Sequence, residues 1–167
     1  MFFWFLALST LIVWQVFQSP ALDYRGVLIG SVLPLVEVVF GGPRLLHTLL
    51  CPVAAMVLVM LATRHRRVRR RAWLGLPIGL FMHLILDGTW SRSELFWWPL
   101  LGVDTGGGGL PELSRGAWGV VLELVGIAVG WWLWRRLGLG DPARRQALLT
   151  TGRLPSADGG APRIRGS

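Results

Sequence analysis

The sequence predicts an all-α integral membrane protein, a bundle of about five transmembrane helices, and three observations predict it. The 167-residue chain is 53% hydrophobic and only 16% charged, with a mean hydropathy of +0.53, which leaves too little polar surface for a soluble domain of this size. Several apolar runs approach the ~20 residues that cross a hydrocarbon core as a helix. The basic residues are gathered in short blocks beside those runs, which is the positive-inside pattern. The formal charge of +8 comes entirely from arginine, with no lysine in the chain. Because that charge sits beside apolar spans, nucleic-acid binding is not expected. The single cysteine, Cys51, excludes an internal disulfide and a cysteine-rich metal site.

Residues 2–17, FFWFLALSTLIVWQVF, make the first span. A cleaved signal peptide is the competing reading, but no basic region precedes the run and no small-residue cleavage site stands before Ser19 and Pro20. A retained helix is therefore expected. The second span, 26–40, carries Pro34 and one acid, Glu37. Gly41 to Arg44 form a tight turn, because Gly and Pro both interrupt helix. The third span, 45–62, places His47 in its first turn. Residues 64–71, RHRRVRRR, hold six arginines in eight positions, a cytoplasmic topogenic loop suited to anionic lipids. The fourth span, 72–90, has Gly75 and Gly79 at a spacing that permits close helix approach. Trp97 and Trp98 belong to an aromatic interfacial belt, and Gly106 to Gly109 to a linker or lid. The fifth span, 116–134, contains Glu123 with Gly126 and Gly130, and runs into Arg135 and Arg136. Residues 1–136 thus form a transmembrane helical domain. Residues 137–167 are expected to be a mostly disordered cytoplasmic tail with a short helix near 142–149.

With both arginine blocks inside, five spans put the N-terminus outside and the C-terminus inside. The turn at Gly41 to Arg44 is then outside. Glu37 and His47 each lie roughly 6 to 8 Å from it at ~1.5 Å per residue. His83 and Asp87 lie eleven and fifteen residues beyond Ala72, or roughly 16 and 22 Å up a ~30 Å core. All four fall in the outer half of the membrane, and Glu123 falls at a comparable depth. His83 and Asp87 are four apart, so they project from one helix face. Ionisable groups inside a membrane are costly and mark sites or pathways. Two imidazoles and two carboxylates suit a divalent metal, zinc first. The other readings are a His83 to Asp87 hydrogen bond that stabilises the helix, with Glu37 and His47 as interfacial residues, and a proton relay through His83 and Asp87.

Gly79 to Pro99, GLFMHLILDGTWSRSELFWWP, resembles the G-x-x-x-H-x-x-x-D and W-P signature of the YdjM-type proteins, LexA-binding, inner-membrane-associated metal-dependent hydrolases. Leu33 to Glu37 resembles that family's L-P-D-x-D segment, with Leu35 in the first acidic position and Glu37 in the second. Leu46-His47-Thr48 resembles its T-H-S segment, without the histidine that precedes it in the family. The resemblance covers roughly residues 30–101. It implies a multi-pass inner (plasma) membrane protein and a metal-dependent hydrolase of a phosphoester or lipid-like substrate at the outer face. His47, His83 and Asp87 would be metal ligands and Glu37 a fourth ligand or general base. Arg44 has two readings, a phosphate holder and a snorkelling interfacial arginine. The alternative function is a non-catalytic membrane protein with a structural polar cluster.

Overall fold

The computed structural model describes residues 1–19, 22–39, 45–91, 96–100 and 116–154. They are helical, with no strand among them. Helix α1, Phe2–Phe17, is apolar on every side and stops where Gln18 turns into the left-handed region at φ 43°. Helix α2, Tyr24–Val32, begins at Asp23, whose carboxylate accepts the Arg25 N–H as a cap. It ends just before Pro34, which has no N–H to continue the ladder. The chain resumes as α3, Leu35–Val39, through tight bonds from Val36 N–H to the Leu33 carbonyl and from Glu37 N–H to the Pro34 carbonyl.

A single 3₁₀ turn, Leu45–His47, leads into α4, Leu50–Ala62. The arginine block makes α5, Arg67–Trp73, followed after Leu74 by α6, Gly75–Asp87. Gly88 closes α6 in the left-handed conformation at φ 71°, where glycine has no Cβ penalty. Helix α7, Ala117–Arg136, is the longest, and α8, Pro142–Thr151, is capped by Asp141 with proline in its first turn.

Among the described residues, α7 alone has both the length and the apolarity to cross a bilayer, while α1 and α4 are shorter apolar helices. Five continuous spans are therefore not found. The second expected span is broken at Leu33 and Pro34, and the fourth is separated from the arginine helix at Leu74.

Two close pairings organise the bundle. On α2, Gly26 and Gly30 meet Gly75 and Gly79 of α6 in parallel register. A Cβ on Gly26 would stand 2.9 Å from the Leu76 nitrogen, and one on Gly30 would meet the Leu76 carbonyl. Small residues four apart on both helices let the two backbones touch. In the second pairing, also parallel, Gly126 of α7 lies against the backbone of Phe3 and Trp4, and Gly130 lies against Ala7.

The bundle has two unlike ends. One gathers the start of α1 and the end of α6, joined by Trp4 Nε1 donating to the Leu86 carbonyl, with Glu123 of α7 against the start of α1. The other gathers the end of α1, the start of α2 and the segment after α7. There Val13, Trp14, Leu22, Tyr24, Leu133 and Leu137 share one core. Within the stretch expected to be largely disordered, residues 137–154 are folded, with Leu139 and Leu154 buried in that same core. Tyr24 N–H donates to the Gly152 carbonyl at 2.8 Å, and Arg25 Nη1 donates to the carbonyls of Leu149 and Thr150.

Candidate functional site

The glycine seam of α2 and α6 sets the first side chain. Ser31 is in the last turn of α2, where backbone carbonyls have no helical partner, and its carbonyl accepts a hydrogen bond from His83 Nδ1 at 2.7 Å. A carbonyl can only accept, so Nδ1 carries the hydrogen, and in the neutral ring Nε2 is left with a lone pair. His83 is 0% exposed. Its Nε2 has no hydrogen-bond partner among the described residues. Phe5 of α1 stacks on the ring, centroids 4.0 Å apart and 29° between planes.

His47 stands edge-on to the same ring, centroids 5.3 Å apart at 81°, and is also buried. Its Nδ1 pairs with Glu37 Oε2 at 3.0 Å, while Glu37 Oε1 accepts the Leu46 N–H at 2.9 Å. Glu37 thus spans α3 and the turn before α4, and holds His47 in one orientation. The break at Pro34 places α3 beside that turn. Asp87 follows His83 by one turn, and its Oδ2 accepts the Thr89 hydroxyl at 2.8 Å. Nearby, Leu49 N–H donates to the Phe96 carbonyl, which ties the segment containing Trp98 and Pro99 to the histidine end.

The structure therefore brings Glu37, His47, His83 and Asp87 to one end of the bundle. Glu37 contacts His47 through its side chain, which gives it an orienting place. Glu123 does not join this group. Its carboxylate accepts the N–H groups of Phe3 and Trp4, the open donors at the start of α1. Arg44 and the glycine run 106–109 lie outside the described residues.

Sequence reasoning missed Ser31, Phe5 and Thr89. Only Ser31 carried a usable signal, since it stands three residues before a proline that must free carbonyls in the turn ahead of it. The Gly26 and Gly30 half of the seam was equally readable from its spacing, which repeats that of Gly75 and Gly79.

The donor chemistry suits a metal in kind. Histidine ligands characteristically give their other ring N–H to a carboxylate or a backbone carbonyl, as His47 and His83 do here. In number the arrangement is short, because catalytic zinc sites use three protein ligands. Among the described residues no group of three or more His, Cys, Asp and Glu is placed to hold one ion. No family model, curated protein or solved structure matches the chain.

Proposed function

We propose that the chain is a multi-pass membrane protein whose histidine end binds a divalent metal, zinc first, and hydrolyses a phosphoester or lipid-like substrate. The membrane part is supported by an inverted distribution of polarity. Ser9, Thr10, Ser31, His47, Thr48 and His83 are buried, whereas Leu58, Leu61, Val120 and Leu124 are each more than 60% exposed. Exposed apolar surface on this scale marks an apolar environment. Helix α7 packs one side on α1 and leaves the rest outward, with only 11% of its apolar stretch buried. Arg25, Arg64 to Arg71 and Arg135 to Arg145 belong to the other end, and this clustering supports a cytoplasmic place for that end. Spans broken at Leu33 and Leu74 are compatible with a bilayer where the irregular backbone is covered by protein.

One observation carries the metal reading. His83 Nε2 is buried without a partner among the described residues, while Nδ1 and the ring face are fixed by Ser31 and Phe5. An orphaned buried acceptor costs about 1–3 kcal/mol, and a cation accepted by that lone pair removes the cost. His47, held by Glu37, presents the second imidazole. Asp87 supplies a carboxylate on the same face of α6. A bound ion would contribute Lewis acidity toward a phosphoryl or acyl oxygen. Glu37 fixes the tautomer of His47, and Phe5 excludes water from one side of His83.

A second reading is a non-catalytic protein with a structural polar cluster. It is favoured by the bonds that already engage Glu37, His47, Asp87 and Thr89 with one another or with backbone. Elemental mass spectrometry on detergent-purified protein separates the two. We expect about one zinc or manganese per chain, lost in His83→Ala, with phosphoester hydrolysis lost in parallel. Metal-free protein in both, even after zinc and manganese are supplied, would leave the structural cluster.

A further inference from the structure

We infer that the arginine end carries a binding groove for an anionic phospholipid, with the lipid phosphate held at Arg69 and an acyl chain laid between α2 and α5. The inference rests on the membrane reading above and is independent of the metal. A groove of about 410 Å³ opens there, walled by Gly26 and Ile29 of α2, Val59 of α4, and Ala72, Trp73 and Leu76 beside the junction of α5 and α6. That volume is in the range of small-molecule sites, and five of these six side chains are apolar while the sixth is glycine. Ile29 and Trp73 are each 56% exposed on its walls, so the groove is open along its length to whatever surrounds the helices.

The charge above it is unbalanced. Asp23 and Arg25 also line the groove, but they neutralise each other through bonds of 3.0 and 2.7 Å. Arg25 also gives Nη1 to the carbonyls of Leu149 and Thr150. The arginines of 64–71 have no acidic partner among the described residues. Of these, Arg69 precedes Ala72 by three and Trp73 by four, which puts it on the groove face of α5. An exposed arginine one helical turn from two groove-lining residues, beside an outward tryptophan, is complementary to one phosphate with a hydrocarbon tail. A neutral lipid satisfies only the channel, and a free phosphate only the arginine.

The full chain in detergent is titrated with dioleoyl phosphatidylglycerol or dioleoyl phosphatidylcholine while its thermal unfolding is followed, since a ligand of the folded state raises the midpoint. Phosphatidylglycerol is expected to act at lower concentration. Arg69→Gln should weaken its apparent affinity about fivefold. Ile29→Trp and Ala72→Trp fill the groove from opposite walls with every arginine retained, and each should remove the preference for the anionic lipid. Two fillers are used so that misfolding of one, seen by circular dichroism, leaves the other to decide. A preference that survives in a folded filler would overturn the groove in favour of diffuse surface charge. Equal effects of the two lipids, or a single-stranded RNA raising the midpoint more than phosphatidylglycerol does, would overturn the inference outright. A chain that stays monodisperse after detergent removal without lipid would overturn the membrane reading too. One that enters phosphatidylcholine vesicles yet shows no anionic preference overturns only the groove.

Discussion

At the histidine end the ionisable groups are inside the bundle and bond to one another or to backbone, whereas at the arginine end they stand outside it and mostly lack acidic partners among the described residues. His47, His83 and Asp87 are all at most 1% exposed. The arginines of α5 face outward, and the apolar core of that end is instead built by Trp14, Tyr24, Leu133 and the segment after α7. Burying charge requires oriented hydrogen bonds, so the histidine end is specified by a few exact contacts. Displaying charge requires only water or headgroups, so the arginine end tolerates change wherever its leucines and tryptophan stay packed. The two ends are joined by the glycine seam of α2 and α6.

The largest expected effect comes from breaking that join. In Gly79→Leu the new side chain meets the Val27 carbonyl and begins 2.9 Å from the Ser31 nitrogen, so α2 and α6 must separate and both ends fail together. A loss of about 3 kcal/mol or more is expected as disappearance of the monodisperse peak in detergent gel filtration. Gly130→Ala is the matched control: its Cβ lies 3.7 Å from that of Ala7, an ordinary contact, and the unfolding midpoint should be unchanged or slightly raised. Equal damage from both would mean that the seam has no special place.

The next effect sharpens the histidine end alone. Glu37→Ala strands His47 Nδ1 and the Leu46 N–H, which should cost about 1–3 kcal/mol and, where metal is bound, weaken its affinity about 10- to 100-fold. Glu37→Gln retains an acceptor and should recover much of the stability. If thermal unfolding shows Glu37→Ala at wild-type stability, the orienting place given to Glu37 is wrong.

The smallest effect belongs to the arginine end. Asp23→Ala removes the α2 cap and the anchor of Arg25, at a cost of about 1 kcal/mol. Burial opposes ionisation of Asp23, but the hydrogen bonds and charge of Arg25 outweigh it and hold the carboxyl below its usual range. With the folded value depressed, the contribution is complete above the unfolded carboxylate value of about 4 and fades as pH falls through the folded one. Wild type and Asp23→Ala should therefore converge in acid unfolding below pH ~4 and stay apart above it. Constant separation at all pH values would assign the effect to packing.

Much of the helical outline was legible in the sequence, for a simple reason: an apolar run bounded by Gly, Pro or Arg has few other conformations open to it. Phe2–Phe17, Ala117–Arg136 and Pro142–Thr151 fall within two residues of the segments read from composition and punctuation. The break in the second run was not legible as a break, although Pro34 was seen, because one proline alone can kink a helix or end it. Shared depth put Glu37, His47, His83 and Asp87 at one level, yet the partners were set by rotation about helix axes, which depth does not contain. Glu123 shows the difference, being at that level but turned to the start of α1. Leu139 and Leu154 show another, since scattered leucines in a Gly- and Arg-rich tail have no period and acquire meaning only against Trp14 and Tyr24.

Where Gly26 and Gly30 lie against Gly75 and Gly79, no side chain stands between the two backbones, and a joint of that kind has no bearing surface on which to slide. Helices α2 and α6 behave mechanically as one strut, with His83 and the carbonyl that orients it near one end and the walls of the groove near the other. Any opening toward the histidines must then be made by the elements leaning on the strut, α1 with Phe5 on one side or the 3₁₀ turn before α4, with His47, on the other.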